Sequence, residues 1–137
     1  MILAIYRNKQ VNKTIKLMNT ENTKAVYATD QNWDDLITKP GVLLVDFSAE
    51  WCPPCRRLEP IVHELAVDFT GTATVATVDV EMNPVVTARY KVRNMPTILV
   101  FKDGELVDRQ IGLTSKQVLA NMIENHIQEP LVVDRDF

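Results

Sequence analysis

The sequence predicts an α/β fold in three layers, with a central mixed sheet carrying helices on both faces. Three observations point there. Val42 to Phe47 is a nearly continuous apolar run of strand length, as a strand covered on both faces requires. Strand-like and helix-like periodicities alternate along the chain, which implies parallel strands joined by helical crossovers. Near the end that alternation stops: Thr97 to Phe101 and Glu105 to Ile111 are two strand patterns separated by Lys102-Asp103-Gly104, an Asp-Gly hairpin signal. The last pair of strands is therefore expected to be antiparallel.

A chain of 137 residues fits one domain that can bury a core without help from disulfides or metals. Hydrophobic residues at 46% and charged residues at 24% describe an ordinary soluble globular protein. The net charge of −3 argues against a broad nucleic-acid footprint. No apolar run approaches the length of a transmembrane helix, so no membrane partner is expected. A monomer is expected.

The elements follow in order. Residues 1–21 carry Arg7, Lys9, Lys13 and Lys16, and no acid appears before Glu21, which suggests a loosely ordered basic extension. A secretory signal would place its charges before the apolar stretch, whereas here they follow Met1 to Tyr6. A transit peptide would be richer in Arg and Ser. The domain proper is expected over residues 22–129, with 130–137 as a tail. Lys24 to Thr29 reads as a strand, and Asp30 as the cap of a short helix burying Trp33, Leu36 and Ile37. Pro40-Gly41 ends that helix, and the Val42 run forms the central strand. From Pro54 to Phe69, Leu58, Ile61, Val62, Leu65, Ala66 and Phe69 recur at helical spacing, with Pro60 inside as an expected kink. Ala73 to Val80 alternates as a strand, and Asn83-Pro84 starts a short helix reaching about Tyr90. After the hairpin, Thr114 with Gln117 suggests a capping box for a helix that buries Val118, Leu119, Met122, Ile123 and Ile127.

The chemistry is concentrated in Trp51-Cys52-Pro53-Pro54-Cys55, which holds both cysteines of the chain. At a helix start, positions three apart share a face, so the two sulfurs can approach closely enough to bond. The first turn also offers unpaired N–H groups and a partial positive charge, which favour the thiolate that attacks disulfides. Cys52, at the exposed start of the helix, is the expected nucleophile, and Cys55, shielded one turn further in, the resolving thiol. Two alternatives stay open. A structural zinc would need a second clustered pair of ligands, and His63 and His126 lie far apart, so no metal is expected. An inert structural disulfide would close so small a loop that it restrains the unfolded chain little. His63 reads as a solvated or packed histidine.

Val45-Asp46-Phe47, Ala49-Glu50-Trp51-Cys52, Pro54-Cys55, Pro60, Met95-Pro96-Thr97, Phe101-Lys102-Asp103-Gly104 and Gly112 together resemble the landmarks of the thioredoxin family, in the family's order, over about Lys24 to His126. The resemblance implies a thioredoxin-like fold with Pro96 as a cis proline opposite the cysteines. It implies a substrate-binding platform of Trp51, Pro54, Val80, Met95, Pro96, Ile111, Gly112 and Leu113. It makes Asp46, an acid inside an apolar strand, the general acid/base for Cys55; a merely hydrogen-bonded structural Asp is the alternative. Pro53 and Pro60 are assigned structural roles. No bound cofactor is expected beyond the redox-active Cys52–Cys55 disulfide, and no Gly-rich dinucleotide fingerprint is present.

Three departures from the family pattern stand out: Pro53 for a glycine, Ser48 for a common aromatic, and Thr77 where a lysine often accompanies the buried acid. The function implied is thiol–disulfide exchange, with general protein disulfide reduction as the leading reading. Its partners would be disulfide-containing client proteins and an NADPH-dependent thioredoxin reductase, in the cytoplasm. The competing readings are a specialised exported exchange protein with a dedicated client, and a binding module in which redox chemistry is incidental. Without its usual cation, Asp46 is expected to hold its proton more tightly than an ordinary carboxyl.

Overall fold

The computed structural model describes residues 24–127. The expectations for residues 1–21 and for the tail 130–137 lie outside the described residues. The elements are β1 (Val26–Tyr27), α1 (Trp33–Ile37), β2 (Val42–Ser48), α2 (Pro53–Asp68), β3 (Ala73–Asp79), α3 (Pro84–Arg89), β4 (Thr97–Lys102), β5 (Glu105–Ile111) and α4 (Lys116–Ile127). The five strands lie in the order β1-β3-β2-β4-β5. β3 runs parallel to both β1 and β2, whereas β4 runs antiparallel to β2 and β5, so the sheet is mixed and β2 is its centre.

Side chains of β2 alternate between the two faces, and both faces are covered. Val42 and Leu44 join Leu58, Val62 and Leu65 of α2 and Leu119, Met122 and Ile123 of α4 in one apolar cluster. Leu43, Val45 and Phe47 join Trp33 and Leu36 of α1 and Val86 of α3 in the other. That explains the unbroken apolar run in the sequence: a strand buried on both sides has no polar side to alternate with. Asp46 has the parity of Val42 and Leu44 and so lies on the α2 face.

Asp103 and Gly104 form the two-residue hairpin turn, with Lys102 paired to Glu105 and φ of 50° and 87° at the two turn residues. Positive φ at both positions matches the strand twist, which is why Asp-Gly suits the turn.

Several local expectations are corrected. β1 is only two residues long, not the full span from Lys24 to Thr29. Asp30 does not cap α1, whose N-cap is Asn32. Thr29 and Asn32 exchange bonds, Thr29 N–H donating to Asn32 Oδ1 at 2.7 Å and Asn32 N–H to Thr29 Oγ1 at 3.1 Å, and this pair organises the turn. Asp30 instead accepts from the N–H groups of Val85 and Val86 at 3.2 and 2.8 Å, capping α3 across space. The α4 cap is Ser115, whose Oγ accepts from Val118 N–H at 3.2 Å, rather than Thr114. Two adjacent hydroxyl residues satisfy the same propensity, so pattern alone leaves the frame open by one residue. Val118 is 39% exposed and so lies outside the buried stripe. Finally, α2 begins at Pro53, not Pro54, because N–H groups at the first two helical positions have no intrahelical partner for the prolines to lose. The helix runs on through Pro60 to Asp68.

Candidate active site

β2 ends at Ser48, and a turn through Ala49 to Trp51 delivers Cys52 as the N-cap of α2 in extended conformation. Pro53 and Pro54 carry no N–H, so the first backbone donor of the helix is that of Cys55. It donates to Cys52 Sγ at 3.3 Å. Cys52 and Cys55 are joined by a disulfide, with Cα atoms 5.2 Å apart. The same N–H that caps the helix thus lies where a Cys52 thiolate would need it.

The expectation that Cys52 is the exposed sulfur and Cys55 the shielded one is corrected. In the disulfide form they are 4% and 3% exposed, so accessibility does not tell them apart. The bond between them holds both side chains against Ala49, Val80 and Met95. Their surroundings do differ. Cys52 Sγ lies 3.6 Å from the Met95 carbonyl oxygen, directly before a cis Met95–Pro96 peptide bond. Cys55 lines a polar cleft of about 720 Å³ together with Asp46, Glu59, His63 and Thr77.

On the Cys52 side, the β4–β5 register sets Thr97 against Ile111, and Gly112 N–H donates to the Pro96 carbonyl at 2.8 Å. Residues 111–113 are therefore brought beside Pro96. Gly112 has φ of 92°, a left-handed conformation that favours glycine. Ile111 and Leu113 are exposed, Pro54, Val80, Met95 and Gly112 are half-buried, and Pro96 is buried. Trp51 is 60% exposed, and its indole N–H donates to Glu81 Oε2 at 2.8 Å, which fixes the ring at the edge shared by the apolar surface and the cleft. The result is an open apolar surface around one sulfur.

On the Cys55 side, Asp46 is 3% exposed and its Oδ1 has no hydrogen-bond partner among the described residues. Thr77, the residue standing in place of the family's lysine, pairs directly across from Asp46 on β3. Burial pushes the Asp46 carboxyl up to about 7, and the negative charge of Glu59 adds to the rise. The expected direction is borne out, and a contributor absent from the sequence reading is identified. Glu59 sits four residues after Cys55 on α2, so the two share a helix face. That spacing was the available signal for it. His63 is the packed histidine expected: its Nδ1 accepts from Ala25 N–H at 3.2 Å, and its Nε2 lies 4.0 Å from Glu59. Among the described residues no group of His, Cys, Asp and Glu side chains is arranged to hold a metal ion. Nor is any helix there long and apolar enough to cross a membrane.

Comparison with known proteins matches these features. The Thioredoxin family model matches residues 24–125. A thioredoxin from Staphylococcus saprophyticus is 47% identical over 102 residues, covering 74% of this chain and 97% of that protein. A thioredoxin from Staphylococcus aureus is 42% identical over the same shares of both chains. Among solved structures, a mutant thioredoxin from Halobacterium salinarum superposes with a TM-score of 0.72 at 37% identity, over 81% of this chain and 96% of that one.

Proposed function

The chain belongs to the thioredoxin family, whose activity is thiol–disulfide exchange through a redox-active cysteine pair, and from that premise we propose that it is a general protein disulfide reductase. The observation that carries the reading is the asymmetry around the Cys52–Cys55 bond. Cys52 faces a backbone carbonyl and an open apolar surface, while Cys55 shares its cleft with a buried carboxyl whose Oδ1 has no partner among the described residues.

In the proposed cycle Cys52, as thiolate, attacks one sulfur of a client disulfide and expels the other as a thiolate that takes a proton from solvent. The Cys55 thiol then gives its proton to Asp46 and attacks Cys52 Sγ. The Cys52–client bond breaks, the Cys52–Cys55 bond forms, and the second client thiolate leaves. Two electrons pass from the dithiol to the client. The surface of Trp51, Met95, Ile111 and Leu113 would accept an extended client segment by backbone shape and local apolarity, which suits many clients better than one. Two electrons from an NADPH-dependent thioredoxin reductase would return the pair to the dithiol, and a reducing, cytoplasmic compartment would keep it so.

The test is insulin reduction with dithiothreitol or with NADPH and a thioredoxin reductase as electron source. Cys52→Ser is expected to abolish turnover. Cys55→Ser should also stop turnover yet accumulate a covalent mixed disulfide with the client, visible on a non-reducing gel. A mixed disulfide trapped by Cys52→Ser instead would reverse the two roles. Titration of the dithiol against glutathione buffers separates reductant from oxidant, since a potential well above the glutathione couple would exclude the reductase reading.

A further inference from the structure

The cleft behind the disulfide contains a charge that the exchange reaction has so far not used. We propose that Glu59, by holding a negative charge in the cleft that Asp46 and Cys55 share, sets the pH range over which Asp46 can take the Cys55 proton. Glu59 is then a positioning residue that acts through Asp46. The inference rests on the reductase reading, whose proton step it deepens.

The geometry has three parts. Glu59 follows Cys55 by one helical turn, and both line the cleft with Asp46. Asp46 presents a buried Oδ1 that no protein group among the described residues satisfies, so its charge state is unusually open to whatever charges the cleft holds. Directly across from it on β3 stands Thr77, which supplies no cation.

The remaining charged or titratable groups of the cleft are Tyr27 beside β1, Glu50 and Glu81 on the loops after β2 and β3, Asp79 at the end of β3, and Arg56 and His63 on α2. Lys116 of α4, which also meets α2, is taken up by Glu64 and Asp68 at 3.1 and 2.8 Å. Acids thus outnumber the bases around the cleft. Glu59 alone among them, after burial itself, accounts for the raised proton affinity of Asp46. In proteins of this family with a lysine across from the acid, a cation would favour the carboxylate; here an anion favours the acid form. Burial moves the same proton acceptor towards neutral pH and the Glu59 charge carries it further, to where a base that is both partly ionised and strong is most useful.

The chemical balance is unchanged by Glu59. The proton leaves Cys55 Sγ for an Asp46 carboxylate oxygen, the Cys55–Cys52 bond replaces the Cys52–client bond, and the electrons go to the client. Glu59 decides only what fraction of Asp46 is ionised and ready at a given pH.

The experiment compares the full chain with Glu59→Gln across about pH 5.5 to 8.5. Glu59 is exposed, so the variant is expected to fold. With the negative charge removed, Asp46 ionises at lower pH, and the acid limb of the disulfide-reduction profile should move down by about half a pH unit. At about pH 6 that raises the rate roughly two- to threefold. Glu59→Lys should move it further, and high salt should shrink both effects. In an Asp46→Asn background Glu59→Gln should leave the profile where it was. A second readout does not depend on activity: the Asp46 carboxyl followed by carbon NMR in the oxidised protein should titrate at lower pH in Glu59→Gln. Coincident titrations in the two proteins would overturn the inference. So would a profile shift that survives in the Asp46→Asn background. Failure of the wild-type chain to reduce disulfides at any pH would instead sink the reductase reading, while the NMR comparison would still decide whether Glu59 tunes Asp46.

Discussion

The two sides of the α2 N-terminus are built from opposite materials. Around Cys52 the chain offers exposed apolar side chains, a cis Met95–Pro96 bond and a backbone carbonyl, on connections and a strand end outside the helices. Around Cys55 it offers a polar cleft whose buried member, Asp46, comes from the central strand of the sheet. One side can meet changing partners without reorganising the core. The other can hold a costly acid only because the core fixes it there. On the proposed function the contrast separates client recognition from proton handling, and each side can be broken without the other.

The largest effect is expected on the cleft side. The folded Asp46 value of about 7 against the 3.8 of an ordinary aspartate means that the native state keeps a proton that the unfolded chain gives up. Between those values the native state binds more protons, so stability falls as pH rises through this window and levels off above it. The full shift is worth roughly 4 kcal/mol. Asp46→Asn removes that penalty and should stabilise the oxidised protein at neutral pH by about 2–4 kcal/mol, while slowing disulfide reduction at least about tenfold. Denaturant melts across pH and the reduction rate check both halves. A destabilised fold with an unchanged rate would return Asp46 to a purely structural role.

Thr77→Lys sharpens the comparison from the opposite direction. An ammonium placed across from Asp46 should lower its titration by about one unit or more, move the acid limb of the rate profile with it, and raise stability at neutral pH. An unchanged profile would mean that the new side chain turns to solvent and that Thr77 is no substitute site for a cation.

How much of this was legible in the sequence depended on the range of the interaction. The Val42 to Phe47 run, the Asp103-Gly104 turn and the Cys52–Cys55 spacing are local patterns, and each predicts its structure because neighbours in sequence are the neighbours that matter. Asp30 reads as a local cap because nothing in its surroundings announces Val85 and Val86, some 55 residues away. For Glu59 the four-residue spacing from Cys55 signals a shared helix face but not the strand it meets; the fold places it in the cleft with Asp46. The similar burial of the two cysteines was hidden for another reason. It follows from the bond between them, and residue types do not report on bonding state. The cis form of Met95–Pro96 was reached through resemblance alone, since proline by itself favours trans.

On the recognition side, Gly112→Ala tests whether the backbone beside Pro96 matters to clients. A Cβ at Gly112 would meet nothing within 4 Å, so the cost is the strain of φ at 92°, about 1–2 kcal/mol. The melting temperature should fall accordingly. KM for protein clients should rise a few-fold while the rate with a small aromatic disulfide changes little. Equal losses with both substrates would show that the substitution acts on the sulfurs and that the two sides are not separable.

The smallest effect is expected at Pro53, on the boundary between the two sides. It is exposed at the first position of α2, where a backbone N–H would have no intrahelical partner, and Cys52 Sγ already takes its hydrogen bond from Cys55. Pro53→Gly therefore removes no hydrogen bond in the folded state. It acts on the unfolded chain, which gains conformational freedom, and should cost about 0.5–1 kcal/mol. Because the unfolded chain gains that freedom whether or not the short Cys52–Cys55 loop is closed, oxidised and reduced forms should lose nearly equal stability. The redox potential, which reads the difference between the two forms, should then stay within about 10 mV of the wild type. Paired melts of both forms and a glutathione titration decide it. A larger displacement, with one form losing more than the other, would show that Pro53 acts on the sulfurs themselves, and the residue between the cysteines would then belong to the reaction rather than to the chain.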